Sequence, residues 1–214
     1  MPVPVTSFVR SDSATDPDVA AVARIVTDLR AELESLETQI NEAHVFNAQS
    51  KKVQDIVAHA LERVGFSEEV VLTPQEGFVT RARPDFYLSL GVGRGVIAEV
   101  ERGGTVTNNH DLKDFWKAHI GADIQHLVLV VPNANVNQAN VPRERPYARV
   151  VHRLRAFFGD PRREVDVRSC HVVGYGMDGF APATARVDLS HPATTVADVD
   201  ASSMDNQVSS TPRV

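Results

Sequence analysis

The feature that most limits the fold of this chain is a continuous apolar run, HLVLVV, at residues 126–131. A strand with one face in water alternates apolar and polar side chains, whereas this run has no polar side chain after His126. Uninterrupted aliphatic runs are typical of central strands that are buried on both faces. Because helices must cover those faces, the run predicts an α/β fold with helices on both sides of a central sheet.

A second stretch, residues 83–104 (RPDFYLSLGVGRGVIAEVERGG), predicts two short strands joined by a glycine-rich turn. Asp85 opens the first strand, and Glu99 and Glu101 end the second. Side chains alternate along a strand, so Glu99 and Glu101 share one face. Carboxylates crowded at the end of an apolar strand repel each other and are costly to desolvate, unless they share a cation or a proton. The hairpin is therefore a candidate metal site.

Hydrophobic periodicity predicts the elements around these two stretches. Helices are expected at residues 17–44, 48–64, 108–120 and 145–158, and further strands at residues 69–72, 78–82 and 165–173. We divide the chain into a flexible lead-in (1–16), a long N-terminal helix (17–44), one domain (45–180) and a disordered tail (181–214).

Apolar residues of the long N-terminal helix recur at alternating spacings of four and three, which is the pattern of a coiled-coil seam. They are Val22, Val26, Leu29, Leu33, Leu36 and Ile40. Two interpretations remain open at this point. The helix either packs on its own domain or forms a dimerisation arm, in which case the protein is a homodimer.

The motif Pro84-Asp85, followed after an apolar run by Glu99-Val100-Glu101, resembles that of the PD-(D/E)XK nuclease superfamily. This chain would belong to the variant that ends in Glu rather than Lys. The sequence VQDIVAHALERVGF, at residues 53–66, is similar to the first core helix of that superfamily. The order of predicted elements over residues 48–175 also matches its common core. The resemblance implies a restriction-endonuclease-like domain, with a mixed central sheet flanked by helices.

The resemblance further implies a Mg²⁺-dependent endonuclease that hydrolyses phosphodiester bonds of DNA, with Mn²⁺ as a substitute. Asp85 and Glu99 would hold the metal, because Mg²⁺ prefers carboxylate oxygens together with water and substrate phosphate. The carbonyl of Val100 is a further ligand that the resemblance implies. Gln54 falls where the superfamily often has a glutamate, and it would orient a metal-bound water.

Glu101 takes the position where the superfamily more often has lysine. It would orient or deprotonate the attacking water, or bind a second metal. Lys113 or Lys117, on the helix that follows, could instead supply the missing cation. The alternative for the acidic pair is an exposed strand face that neighbouring arginines neutralise.

The net charge of −6 argues against a generally basic nucleic-acid binder, but arginines are locally concentrated. The candidate DNA-binding residues are Arg81, Arg83 and Arg102 near the hairpin, and Arg145, Arg149 and Arg153 on the last predicted helix. Arginine side chains at such positions bind the phosphate backbone. The alternative for the helical arginines is a solvated face that is balanced by nearby acids.

Several classes of protein are excluded by simple patterns. No apolar stretch reaches the length of a membrane helix, and the N-terminus lacks the pattern of a signal peptide. A single cysteine, Cys170, excludes an intrachain disulfide and a thiolate zinc cluster. The glycines at 91–95 are not a dinucleotide fingerprint, because a strand follows them. We expect a cytoplasmic protein with no membrane partner and no organic cofactor.

Two other functions remain open on the sequence. The first is a catalytically inactive protein of the same fold, which binds nucleic acid or a protein partner. The second is a coiled-coil assembly protein, whose long N-terminal helix is the functional element and whose acids are surface charge.

Overall fold

The computed structural model describes residues 3–48, 50–68, 83–102, 106, 108–158 and 165–178, and within them the chain forms eight strands and five α-helices. The strands are β1 (Val5–Val9), β2 (Ser67–Glu68), β3 (Phe86–Gly91), β4 (Arg94–Val100), β5 (His126–Pro132), β6 (Asn135–Val136), β7 (Pro142–Glu144) and β8 (Ser169–Tyr175). The helices are α1 (Pro17–Ser35), α2 (Glu37–Ala43), α3 (Ser50–Arg63), α4 (His110–Ile120) and α5 (Pro146–Phe158).

Six strands form one mixed sheet in the order β1-β8-β5-β4-β3-β2, and β6 pairs with β7 in a separate ribbon. Strand β5 runs parallel to both of its neighbours, β4 and β8, while the other pairs are antiparallel. All seven residues of β5 are buried, as the uninterrupted apolar run predicts. The predicted α/β class with a mixed central sheet is confirmed.

Helices cover both faces of the sheet and divide the core into two clusters. Helices α1, α2 and α3 pack on one face, and α4 and α5 pack on the other. Alternation along β5 serves both clusters, because Val128 and Val130 face the first while Leu127 and Leu129 face the second. In β4 the same alternation points Ala98 at α1–α3 and Ile97 at α4 and α5.

The N-terminal helical segment is not one helix, because α1 ends at Ser35 and α2 begins at Glu37. Leu36 interrupts the helix with a ψ of 5°. The predicted seam faces the interior: Val22, Val26, Leu29, Leu33 and Ile40 all belong to the first core cluster. The segment therefore packs on its own domain. A homodimer through it stays a prediction, and would have to use the outer face of α1.

The prediction of a flexible lead-in at residues 1–16 is wrong for residues 5–9. Residues Val5–Val9 form the edge strand β1, antiparallel to β8, and the Phe8 ring stacks on Phe158 with centroids 5.5 Å apart. The free edge of β8 accepts any short extended segment with one apolar side chain to bury. A strand of this length with polar neighbours carries little sequence signal.

Some predictions lie outside the described residues, namely the strands at 69–72 and 78–82 and the tail at 181–214. The described residues between 3 and 178 belong to one compact unit, so residues 17–44 are not a segment apart from the predicted domain. In the same ranges, no helix has the length and apolar character needed to cross a bilayer.

Candidate active site

The β3–β4 hairpin brings the three predicted carboxylates together. Phe86 pairs with Ala98, so Asp85, one residue before β3, lies across from Glu99 in β4. Glu99 shares the face of Ile97 and so points towards α4, and it is only 3% exposed. Glu101 follows the end of β4, and its backbone N–H donates to the carbonyl of Val130, 2.9 Å away. The hairpin thus delivers all three acids to one end of the parallel strands.

Asp85 and Glu99 are tied together through the backbone. The Asp85 N–H donates to Glu99 Oε2 at 3.4 Å, and the Val100 N–H donates to Asp85 Oδ2 at 3.1 Å. Each carboxylate thus accepts a backbone hydrogen bond that fixes its side chain. Val100 takes part through its amide, and the proposed role of its carbonyl as a metal ligand stays a prediction.

Helix α4 adds a lysine and a fourth carboxylate to this group. Lys117 Nζ lies 2.5 Å from Glu99 Oε1 and 3.3 Å from Asp114 Oδ1. The other oxygen of Asp114, Oδ2, is buried and has no hydrogen-bond partner in the described part of the chain. Lys117 is thus the one of the two predicted lysines that reaches the acids. Lys113 points to solvent on the exposed side of α4.

Burial makes the acids hard to ionise together. Desolvation, with repulsion from Asp114, raises the pKa of Glu99 to about 8, although Lys117 opposes the shift. Desolvation likewise raises the pKa of Asp114 to about 7, against the pull of Lys117. Burial lowers the pKa of Lys117, but the adjacent carboxylates outweigh it and the net shift is upward. Near neutral pH this group therefore retains a proton that an exposed pair of carboxylates would have lost.

Glu101 forms a second half of the site. Its Oε2 lies 3.0 Å from His110 Nδ1, and its backbone carbonyl accepts a hydrogen bond from the Tyr175 hydroxyl, also at 3.0 Å. The pKa of Glu101 is raised overall. Burial is the main cause, and the hydrogen bond with His110 offsets only part of it. A carboxylate with a raised pKa beside an imidazole is suited to proton transfer.

The group fits a divalent cation by charge. Four carboxylates, those of Asp85, Glu99, Glu101 and Asp114, face one lysine and one histidine, and the buried Asp114 Oδ2 has no partner. As the side chains are placed, no three His, Cys, Asp or Glu residues of the described ranges form a ready set of metal ligands. Lys117 instead takes the position of a cation between two of the acids. The Mg²⁺ site stays a prediction.

Gln54 is not brought to the acids. It lies on α3, and α3 packs on the opposite face of the sheet from the one that Glu99 occupies. Among the described residues, no hydrogen bond joins Gln54 to any of the carboxylates. Its expected role at the metal therefore has no support in the packing of α3.

The three predicted DNA-binding arginines near the hairpin differ in what the structure shows of them. Arg81 lies outside the described residues, and Arg83 is exposed. Arg102, directly after Glu101, donates from Nη2 to the Val45 carbonyl at 2.9 Å.

The arginines of the α5 segment divide into two groups. Arg145 and Arg149 line an open cleft of about 490 Å³, together with Arg143 and His152. Arg153 instead donates from Nη1 to Asp111 Oδ1 at 2.7 Å, and Asp111 is fully buried. Arg153 thus joins α5 to α4. Glu144 also lines the cleft, so three arginines face one carboxylate there and the lining carries a net positive charge.

Sequence reasoning missed Asp114, His110 and Tyr175. A signal for two of them was present, because His110, Asp114 and Lys117 recur at spacings of four and three and so share one side of α4. That side is the one that meets the end of β4. Tyr175 carried no such signal, since only the parallel pairing of β5 and β8 brings it towards Glu101.

No protein-family model matches this chain, and no curated protein is significantly similar to it.

Proposed function

We propose that this protein is a metal-dependent nuclease with a restriction-endonuclease-like core, which hydrolyses phosphodiester bonds of DNA. The observation that carries the proposal is the gathering of Asp85, Glu99, Glu101 and Asp114 at the end of β4, with Lys117 in contact with Glu99 and Asp114. Asp85 and Glu99 would hold Mg²⁺, for which Mn²⁺ could substitute, and Asp114 is an additional candidate ligand.

A bound Mg²⁺ would neutralise phosphate charge and make a water more acidic. The residues of the chain would carry the remaining steps. Glu101, with its raised pKa and its hydrogen bond to His110, would accept the proton of the attacking water. Lys117 would donate to a phosphate oxygen once Glu99 turns to the metal, since its ammonium is the nearest cation to the acids. These roles use the residues present and leave Gln54 aside.

A second candidate is the inactive relative that binds nucleic acid without cutting it. One observation favours this candidate, because Lys117 already bridges Glu99 and Asp114 and neutralises part of their charge. Metal-dependent cleavage separates the two candidates. The coiled-coil assembly protein has less support, since the seam of α1 is buried in the core.

The test is plasmid cleavage by the purified protein in EDTA, in Mg²⁺ and in Mn²⁺, alongside Glu99→Ala and Lys117→Ala. Lys113→Ala is the matched control, because Lys113 lies on the same helix but points to solvent. We expect cleavage that requires metal, is lost in the first two variants and persists in the control.

Calorimetric titration with Mg²⁺ and Mn²⁺ completes the experiment. Because metal ligands must be deprotonated, we expect binding to release protons, measured as a binding heat that depends on the buffer. Absence of both cleavage and metal binding would overturn the proposal. Metal binding by the wild type without cleavage of any supercoiled, linear or single-stranded DNA would favour the inactive relative.

A further inference from the structure

A pocket of about 240 Å³ lies next to Glu101 and is not used by the steps above. Its walls are formed by His44, Val45, Phe46, Arg102, Asn135 and Val136. Arg102 follows the end of β4, Asn135 lies beyond the end of β5, and the His44 ring meets Tyr175 at the end of β8. The pocket therefore opens at the carboxyl ends of three parallel strands, where open α/β sheets bind their ligands.

Hydrogen bonds hold the pocket in place. The Arg102 guanidinium donates to the Val45 carbonyl at 2.9 Å, and His44 Nε2 lies 2.8 Å from the Ala134 carbonyl. The His44 ring packs edge-on against Tyr175 with centroids 5.3 Å apart, and the Tyr175 hydroxyl donates to the Glu101 carbonyl. The pocket is thus built in advance, and the same contacts fix its position relative to a candidate catalytic carboxylate.

The lining suits a flat ring with polar edges. Phe46 is 46% exposed and Val45 is 39% exposed, so an aromatic and an aliphatic surface face solvent beside a guanidinium. The volume is below the roughly 300–1,000 Å³ of pockets that hold drug-sized ligands. It is suited to one ring system rather than a whole nucleotide. Aromatic side chains and arginine are the groups on which unpaired bases stack.

Two polar atoms of the lining residues are buried without a partner in the described part of the chain, namely Arg102 Nε and His44 Nδ1. The bond from His44 Nε2 to a carbonyl makes Nε2 the donor, so Nδ1 is an acceptor. Arg102 Nε is therefore a hydrogen-bond donor, and His44 Nδ1 is an acceptor. The edge of a nucleobase carries a donor and an acceptor side by side, and it would pair with both atoms if the two side chains move apart to expose them.

We propose that this pocket holds one unpaired base of single-stranded DNA, beside the phosphate that is cut. The inference rests on the proposed nuclease function and names its substrate as single-stranded, or locally unpaired, DNA. A base within a duplex has both faces stacked and its pairing edge occupied, so it cannot enter the pocket without leaving the helix. The Arg102 guanidinium also complements the charge of the backbone that carries the base.

The test uses oligonucleotides that contain 2-aminopurine, whose fluorescence falls on stacking, as a single strand and as the matching duplex. Binding is measured in EDTA with the wild type and in Mg²⁺ with Glu99→Gln, so that the DNA stays intact. We expect the fluorescence to fall for the single strand. We expect Phe46→Ala to weaken single-strand binding by about tenfold, because stacking on one aromatic residue commonly contributes that much.

Val92→Ala is the matched control, since Val92 is an exposed aliphatic residue at the tip of the β3–β4 turn. We expect it to change the affinity by less than about twofold. Far-UV circular dichroism reports whether each variant is folded. If Phe46→Ala binds the single strand as tightly as the wild type does, and causes the same fall in 2-aminopurine fluorescence, the inference is overturned, even if the protein cleaves plasmid. Stacking without cleavage under any condition would support the pocket and count against the nuclease.

Discussion

Lys117 contacts two buried carboxylates, so replacing it tests how much its charge contributes to the free energy of unfolding. We expect Lys117→Met to lower the free energy of unfolding by about 1–3 kcal/mol at pH 8, where Asp114 and about half of Glu99 are ionised and lose the ammonium group that stabilises their charge. At pH 5 both acids hold protons in the folded state, so the loss should be small. Urea unfolding at the two pH values measures the difference.

Lys113→Met is the control for this change and should stay within about 0.5 kcal/mol of the wild type at both pH values, because Lys113 is exposed. An equal loss of stability at pH 5 and pH 8 in Lys117→Met would contradict the role given to its charge. It would show that only the packing of the aliphatic part of Lys117 matters.

The carboxylates of the hairpin could be identified from the sequence, because strand alternation and the motif both point to Asp85, Glu99 and Glu101. The choice between Lys113 and Lys117 could not be made. It depends on how α4 is rotated against the sheet, which Phe115 and Ala118 decide by packing in the second core cluster. Asp114 was missed because a buried, partly unpaired carboxylate is unexpected in an amphipathic helix.

Helix α1 behaves as a core element, and single truncations within it should be costly. We expect Leu33→Ala to lower the free energy of unfolding by about 2–5 kcal/mol, because Leu33 is fully buried against the sheet and α3. Asp28→Ala, on the exposed side of the same helix, should have little effect. Urea unfolding gives both values.

Sedimentation of the same variants tests the remaining dimer hypothesis, in which a second copy contacts the outer face of α1. Asp28 lies on that face, whereas Leu33 is buried in its own domain. If α1 acts only within its own chain, neither variant should change the sedimentation coefficient of the folded protein. A dimer that dissociates in Asp28→Ala, but not in Leu33→Ala, would show that the outer face contacts a second copy.

The long elements were predictable because each carries a full period of apolar residues, as β5 and α3 do. The break between α1 and α2 was not, since Leu36 continues the same apolar pattern while its backbone leaves the helix. Strand β1 was missed for a different reason. Its stability comes from pairing with β8, a partner that is more than 150 residues away in the chain.

Two clusters of buried titratable side chains lie at opposite ends of the parallel strands. They should make the free energy of unfolding depend on pH in opposite directions. At the amino end, Ser169 Oγ contacts His126 Nδ1 at 2.8 Å and His171 Nε2 at 3.0 Å. Desolvation lowers the pKa of both histidines to about 4. The acids of the candidate site lie at the carboxyl end.

The two titration windows overlap between about pH 4.5 and pH 6.5, where their effects on stability oppose each other, and we expect stability to fall outside this range. Unfolded histidines bind protons below about pH 6.5, whereas the folded ones do so only near 4, so stability should fall as pH drops through this window, by up to about 3 kcal/mol per histidine. Glu99 makes stability depend on pH in the opposite direction. Its folded pKa is raised, so its favourable contribution is complete below about pH 4.5 and is lost as pH rises towards 8.

Urea unfolding from pH 4 to pH 9 measures this profile. Glu99→Gln should flatten its alkaline side, and His171→Asn should flatten its acidic side. Mg²⁺ should restore stability to the wild type at high pH, but not to Glu99→Gln. A profile that neither variant alters would contradict the assignment of these groups.

The pairing of β1 with β8 also bears on how the protein is made. Within the described residues, β1 is an edge strand that pairs with β8, so it can pair only after the intervening strands of the sheet have been synthesised. A chain that stops at Arg168 lacks β8, and we expect trypsin to digest it readily while the chain extended to Met177 resists. Without β8, Tyr175 cannot donate its hydrogen bond to the Glu101 carbonyl. A chain that lacks β8 would therefore carry every acid of the candidate site without this contact, so the arrangement of the site depends on a strand that contributes none of its acids.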